Sequence, residues 1–190
     1  DYFDEMKLVD VHCHINHKKL KDQLVSVLQR AEDAGVQAIV LSGVNPECNK
    51  EVLQIAEKYP LVKASLGIYP TDALGLGSDE TGLPEHKGVI DIDVELKMIE
   101  ENLSKIVAIG EIGMDFNWAT KEETFERQAA NFRKIIEFAK RVKKPIIIHS
   151  RKAEMECIDI LEKAIKKEIP VVQHCFSGKK SQIKRAAELG

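Results

Sequence analysis

The sequence lacks the long apolar runs, paired cysteines and strong net charge that mark several classes of protein. No apolar run approaches the roughly 20 residues that a membrane-spanning helix needs. The four cysteines form no CxxC pair and no disulfide-like spacing, which predicts reduced thiols. A net charge of only −3 disfavours a protein that coats nucleic acid, but not an enzyme that grips a few phosphates. With no apolar signal segment in DYFDEMK, these absences predict a soluble, cytoplasmic protein that acts at no membrane.

What the sequence contains instead is a regular alternation of short apolar segments and longer amphipathic ones. With 190 residues, 44% of them hydrophobic, one buried core is expected. The apolar segments predict six strands: Leu8–His14, Ala38–Gly43, Lys63–Ile68, Val107–Gly113, Pro145–His149 and Pro170–Phe176. The amphipathic segments predict six helices: Lys18–Ala34, Glu47–Tyr59, Val94–Leu103, Glu122–Val142, Ala153–Lys167 and Ser181–Leu189.

Strict alternation of strands and helices predicts an α/β fold with a parallel sheet, in which the helices form the crossover connections. The strands VAIGEIG, PIIIH and PVVQH are apolar on both faces until their last residues, as expected for strands that are covered on both sides. The alternation fits both an open doubly wound sheet and a closed eight-stranded barrel. The polar residues at the strand ends favour the barrel, in which such ends surround one site.

Polar side chains interrupt the apolar strands near their carboxyl ends. His12 and His14 end the first strand, and Glu111, His149 and His174 lie at the ends of the fourth, fifth and sixth. Alternation places both histidines of the first strand on one side, about 7 Å apart along the strand, where they can chelate one ion. An uncompensated carboxylate in an apolar strand costs several kcal/mol. The shared pattern at four strand ends therefore predicts a metal site.

The segments DVHCH, GEIGMDF, IIIHSR and QHCFSG, in this order, resemble the signature motifs of the TatD family of metal-dependent deoxyribonucleases, within the amidohydrolase superfamily. The resemblance spans about residues 7–185. It implies a TIM-type (β/α)8 barrel, of which about six β/α units are present, and a two-metal site that cleaves phosphodiester bonds. By motif position, His12 and His14 hold one metal, and His149 and His174 hold the second. Glu111 bridges the two ions.

The chemistry of these residues suits two divalent metal ions, Zn²⁺, Mn²⁺ or Mg²⁺, although several imidazoles disfavour Mg²⁺ alone. Two cations about 3.5–4 Å apart polarise a phosphoryl oxygen and lower the pKa of a bound water. We therefore expect Glu111 to act in catalysis, with Arg151 gripping a phosphate as a planar fork. Asp10 is expected to orient an imidazole by a hydrogen bond. The expected substrate is DNA, as single strands or duplex ends, or a small phosphoester.

Three further residues are predicted to bind substrate. Tyr69 and Trp118 lie near the mouth, where aromatic rings stack on the bases of a single strand. Ser177 opens the predicted sixth helix, whose first amides are suited to an anion. Asp115, just beyond the fourth strand, is interpreted as a structural carboxylate of its loop.

Two features depart from the family's pattern. The family usually has G-x-H-P after the third strand, and here the motif ends in Tyr69 and Pro70, although tyrosine is a poor metal ligand at neutral pH. The family's aspartate ligand at the eighth strand has no counterpart in six units. We therefore expect residues 1–190 to be a single hydrolase domain truncated at its carboxyl end, with the aspartate beyond residue 190. Two alternatives stay open: a hydrolase of lactones, amides or small phosphoesters, and an inactive metal-binding barrel fragment.

Overall fold

The computed structural model describes residues 7–77 and 81–189. Its strands are β1 (Leu8–Cys13), β2 (Val36–Ser42), β3 (Val62–Leu66), β4 (Ile106–Asp115), β5 (Ile146–Arg151) and β6 (Val171–Gln173). Its α-helices are α1 (Leu24–Asp33), α2 (Pro46–Lys58), α3 (Ile92–Glu101), α4 (Lys121–Val142), α5 (Glu154–Ala164) and α6 (Lys180–Glu188). Short 3₁₀ turns occupy Lys21–Gln23, Asp72–Leu74 and Leu103–Lys105. The predicted alternation of strands and helices is confirmed.

The six strands form one parallel sheet in sequential order. A flat sheet with strands about 4.8 Å apart would separate β1 from β6 by roughly 24 Å. Instead, the ring of His12 on β1 stacks on the ring of His174, just after β6, with the ring centroids 3.7 Å apart. The sheet therefore curls into an incomplete barrel. This confirms the TIM-type prediction and excludes the open doubly wound alternative.

The centre of the sheet is far more buried than its edge at β1. Along β4, every residue except Val107 is buried, because helices cover the outside of the sheet and side chains fill the inside. Along β1, by contrast, Leu8, Val9 and Val11 are 40%, 55% and 47% exposed. Among the described residues, β1 and β6 each pair with a single strand. The strands that hold the site thus differ in how firmly their surroundings fix them.

Several element boundaries differ from the prediction, for reasons that the contacts explain. The first helix begins at Leu24 rather than Lys18, because the Lys18 amide donates to the Gly82 carbonyl (2.8 Å) and the chain turns there. Strands β4 and β5 continue to Asp115 and Arg151, whereas β6 ends at Gln173. The extension of β4 and β5 matters most, because it adds three polar residues, Asp115, Ser150 and Arg151, to the ordered edge of the sheet. Among the described residues, no helix is both long and apolar enough to cross a membrane.

Candidate metal centre

The four predicted histidine ligands converge around the carboxylate of the fifth, Glu111, which is 1% exposed. Its Oε1 lies 2.9 Å from Nδ1 of His149 and 2.8 Å from Nε2 of His174. Its Oε2 lies 3.3 Å from Nε2 of His14 and 3.5 Å from Nε2 of His12. One oxygen thus faces the imidazoles that follow β5 and β6, and the other faces the pair from β1.

The oxygen that faces β1 fits a cation. Oε2 of Glu111 is buried and accepts no hydrogen bond, which costs a carboxylate several kcal/mol unless a positive charge compensates. The Nε2 atoms of His12 and His14 lie 3.1 Å apart and both face this oxygen. Ligand atoms of His12, Glu111 and His174 all lie within 4.8 Å of one another. Nitrogen and oxygen atoms gathered in this way are the ligands that Zn²⁺ and similar ions take in proteins.

Ser42, the last residue of β2, orients both imidazoles of the first strand. Its carbonyl oxygen lies 3.1 Å from Nδ1 of His14, so that nitrogen donates and Nε2 keeps a lone pair. Its hydroxyl lies 3.0 Å from Nδ1 of His12. Asp10, predicted to orient an imidazole, is exposed and accepts a hydrogen bond from the backbone amide of His12 instead. Ser42 therefore makes the contacts to the imidazoles that were predicted for Asp10, whose side chain instead accepts a backbone hydrogen bond within β1.

Asp115 is fully buried and contacts the site directly, although its position after a strand had suggested a structural carboxylate. Its Oδ2 lies 2.9 Å from Nε2 of His149 and accepts a hydrogen bond of 2.8 Å from the hydroxyl of Tyr69. Its Oδ1 accepts from the amides of Asn117 and Trp118, at 2.7 and 2.8 Å. Asp115 therefore supports both a predicted metal ligand and the loop that follows β4.

The charges of the site follow from these contacts. Burial alone would raise the pKa of Glu111, but hydrogen bonds from the surrounding histidines hold it well below its ordinary value. Burial would lower the pKa of His149, but its hydrogen bonds to Asp115 and Glu111 raise it to about 9. At His12, burial prevails and lowers the pKa to about 4. At neutral pH the site thus contains ionised carboxylates, a charged imidazole on β5 and a neutral one on β1.

The predicted substrate residues differ in their access to solvent. Tyr69 is 0% exposed, and its ring lies 4.7 Å from the ring of His149, centroid to centroid. It therefore lies behind the histidine instead of on the surface that a substrate would reach. Trp118 is 48% exposed, with its indole N–H donating to the carbonyl of Leu76 at 3.1 Å. Arg151 is exposed at the end of β5, two residues after His149.

Ser177 does not open the sixth helix, although the predicted helix start at Ser181 is within one residue of the observed start. The helix begins at Lys180, because the amide of Lys179 donates to the side-chain oxygen of Gln182 and caps the helix there. The hydroxyl of Ser177 donates to the carbonyl of Cys175 at 3.1 Å. The amides of the first helical turn therefore lie beyond Ser177. Its role in substrate binding stays a prediction.

Two glycines allow the backbone to approach closely around the site. A Cβ atom at Gly67, after β3, would lie 2.3 Å from the amide nitrogen of Glu111. A Cβ atom at Gly113 would lie 2.0 Å from the carbonyl oxygen of His149, and its φ of 138° favours glycine. Strand β4 can therefore place Glu111 here only because Gly67, after β3, and Gly113, on β4 itself, have no side chains.

Comparisons of sequence and of structure with known proteins identify the same family. The sequence model of the TatD related DNase family matches residues 9–190. The metal-dependent hydrolase YabD of Bacillus subtilis is 30% identical, over 90% of this chain and 61% of YabD. The deoxyribonuclease TATDN3 of Homo sapiens is 32% identical, over 92% of this chain and 62% of that protein. The crystal structure of YJJV, a TatD homologue from Escherichia coli, has a TM-score of 0.77 at 30% identity, covering 96% of this chain and 65% of YJJV. This chain thus spans about three fifths of the length of these relatives.

Proposed function

This chain belongs to the TatD related DNase family, and from that premise we propose that it acts as a metal-dependent hydrolase of phosphodiester bonds in DNA. The observation that carries the proposal is the buried carboxylate of Glu111, whose two oxygens face imidazoles from three separate strand ends. A carboxylate shared in this way is suited to bridge two cations. The names of relatives support the reaction, since several are called deoxyribonucleases and one a single-stranded DNA/RNA exonuclease.

We infer that the site takes two divalent ions, with Zn²⁺ and Mn²⁺ better suited than Mg²⁺ because imidazole is an intermediate ligand. In this arrangement His12 and His14 would hold one ion, His149 and His174 would hold the other, and the Glu111 carboxylate would contribute to both. When bound, such ions polarise a phosphoryl oxygen and make a water molecule acidic enough to attack at neutral pH. The aspartate ligand that the family places on an eighth strand stays a prediction for this protein.

The residues of the chain have separate tasks in this scheme. Nδ1 of His149 would serve as a ligand without its proton, because a ligating imidazole must offer a lone pair. Arg151 presents a planar cation on the exposed end of the same strand, where it grips a phosphate oxygen. The half-exposed ring of Trp118, held by its bond to the Leu76 carbonyl, provides a fixed surface for a base.

A polyanionic substrate is further supported by basic side chains around one side of the mouth. In and around the loops after β1, β5 and β6, exposed basic residues occur in pairs: Lys18 with Lys19, Arg151 at the end of β5 with Lys152, and Lys179 with Lys180, the first residue of α6. These loops are neighbours, because the curled sheet brings the end of β1 against the end of β6. A strand of DNA that reaches the ions therefore passes close to several cations, which favours its binding at low salt.

The test combines metal analysis with hydrolysis by the intact protein. We expect about two bound divalent ions per chain and cleavage of a fluorescent single-stranded DNA oligonucleotide. EDTA should abolish the cleavage, and added Zn²⁺ or Mn²⁺ should restore it. Cleavage should also weaken steeply as salt rises from 50 to 200 mM. Metal-loaded protein that hydrolyses a lactone but neither DNA nor a model phosphodiester would favour the alternative hydrolase. A protein that binds metal without hydrolysing any of these substrates would favour an inactive fragment.

A further inference from the structure

Asp115 contacts a predicted metal ligand, a buried tyrosine and the loop that follows β4. Its Oδ2 lies between Nε2 of His149 (2.9 Å) and the hydroxyl of Tyr69 (2.8 Å). Its Oδ1 receives the amides of Asn117 and Trp118. An ionised carboxylate has about four lone-pair positions, and these four contacts use them. Because such a group only accepts, each of the four partners has to donate.

Because Asp115 can only accept hydrogen bonds, it determines which ring nitrogen of His149 carries the hydrogen on its side. The hydrogen between the ring and Asp115 belongs to Nε2, since the carboxylate brings none. The remaining nitrogen, Nδ1, faces Glu111 at 2.9 Å from Oε1, where an ion would be held. A ring with hydrogen on Nε2 offers the lone pair of Nδ1 to that ion. Tyr69 donates to the same oxygen and so keeps the carboxylate from turning away.

We propose that Asp115 is a positioning residue. One of its carboxylate oxygens orients His149 with Nδ1 toward Glu111, and the other anchors the loop that carries Trp118. The inference rests on the proposed metal centre. The second oxygen fixes the turn at residues 115–118, and the indole N–H of Trp118 donates to the Leu76 carbonyl. A base that stacks on Trp118 therefore binds to a loop anchored on the same carboxylate as the metal ligand.

The test is the substitution Asp115→Asn. The amide keeps its size, and its oxygen still accepts the two loop amides, while its NH₂ group replaces Oδ2 and only donates. Nε2 of His149 then faces a donor instead of the carboxylate and keeps the Tyr69 hydroxyl at 3.1 Å, which favours hydrogen on Nδ1, the nitrogen needed by the ion. We expect zinc affinity to fall about 10–100-fold at the position of His149 and His174 and to stay unchanged at the position of His12 and His14. Calorimetric titration measures both affinities. Nitrogen-15 NMR of the metal-free protein should show Nε2–H for His149 in the wild type and hydrogen on Nδ1 alone in the variant.

A matched control is Asp72→Asn. Asp72 is another buried carboxylate, in the loop after β3, and it accepts a hydrogen bond from Asn45 at 3.0 Å. This variant should lose stability but keep both zinc affinities. The Tyr69→Phe variant keeps the carboxylate but removes the hydroxyl that donates to Asp115 and lies 3.1 Å from Nε2 of His149, so we expect a smaller loss, below about 10-fold, at the same zinc position.

The outcomes separate this inference from the proposed function. If Asp115→Asn binds zinc as the wild type does and keeps Nε2–H on His149, the positioning role is wrong and the metal centre stands. A wild-type protein that binds no zinc overturns both. If Asp115→Asn does not fold, Tyr69→Phe decides, because an unchanged zinc affinity there overturns the inference and a weakened one supports it.

Discussion

His12 and His149 lie on opposite sides of the same carboxylate, yet their surroundings give them opposite charge states. Both rings are largely buried. His12 contacts a neutral hydroxyl of Ser42 and stacks on another imidazole, so burial lowers its pKa to about 4. His149 is in hydrogen-bond contact with two carboxylates, which outweigh burial and raise its pKa to about 9. Burial is the largest influence on both pKa values, and the hydrogen bonds of His149 to two carboxylates account for the difference between the two rings.

The opposite charge states of His12 and His149 indicate that the two halves of the centre would take up cations differently. The half at β1 offers neutral nitrogens around the unpaired Oε2 of Glu111 and gives up no proton from His12. The half at β5 already holds a positive charge, because His149 is protonated where its Nδ1 contacts Oε1. An ion entering there has to displace that proton. The following predictions test this contrast.

The largest effect is expected from Glu111→Gln, which removes the charge that both halves share. Each ion loses a negatively charged ligand, and we expect both to be lost, with a fall in affinity beyond the roughly 10–100-fold typical of an outer hydrogen-bond partner. Metal content after dialysis, measured by mass spectrometry, checks this. Glu95→Gln is the control, since Glu95 is also buried but bonds Asn49 at 2.7 Å. Retention of both ions by Glu111→Gln would refute the bridging role.

The second effect is a dependence of stability on pH in the presence of EDTA. The pKa of His149 rises from 6.5 to about 9 on folding, so its contribution is fully present below pH 6.5 and is lost as pH rises through 9. That shift corresponds to about 3 kcal/mol. For His12 the pKa falls to about 4, so stability is present above pH 6.5 and lost as pH falls toward 4.

The variants His149→Asn and His12→Asn separate these two limbs. In urea unfolding between pH 4 and 9, the first should flatten the alkaline decline, and the second should flatten part of the acidic decline. Because other carboxylates also titrate in acid, the comparison is made between each variant and the wild type at every pH. Identical pH profiles for the two variants would contradict the assigned contrast.

The smallest effect is expected from Ser42→Ala. The substitution removes the hydroxyl near His12 but keeps the carbonyl that orients His14. A neutral hydrogen bond contributes about 1 kcal/mol, so we expect zinc affinity at the β1 position to fall about five-fold. Calorimetric titration measures this alongside Asp115→Asn. A loss as large as that of the carboxylate variant would show that neutral and charged supports act alike here.

The sequence predicted where the ligands meet because that position depends on a simple rule. Carboxyl ends of sequential parallel strands share one edge, so polar residues there must converge once the sheet curls. The orienting groups could not be predicted as easily. Ser42 ends the apolar segment VQAIVLS and so carried the same signal as the ligands, but its role depends on the register of β1 and β2. Asp115 and Tyr69 looked like loop and surface residues, because their burial results from packing between distant segments.

The close approach of Gly67 to Glu111 has a consequence for how tolerance to mutation is distributed in this protein. A methyl group at residue 67 would overlap the backbone amide of Glu111 and displace β4. Alanine at this position would thus disturb both halves of the centre together, although Gly67 carries no ligand atom and no charge. In a saturation survey of the chain, residue 67 would rank with the proposed ligands, and its intolerance would report the space that the Glu111 carboxylate requires.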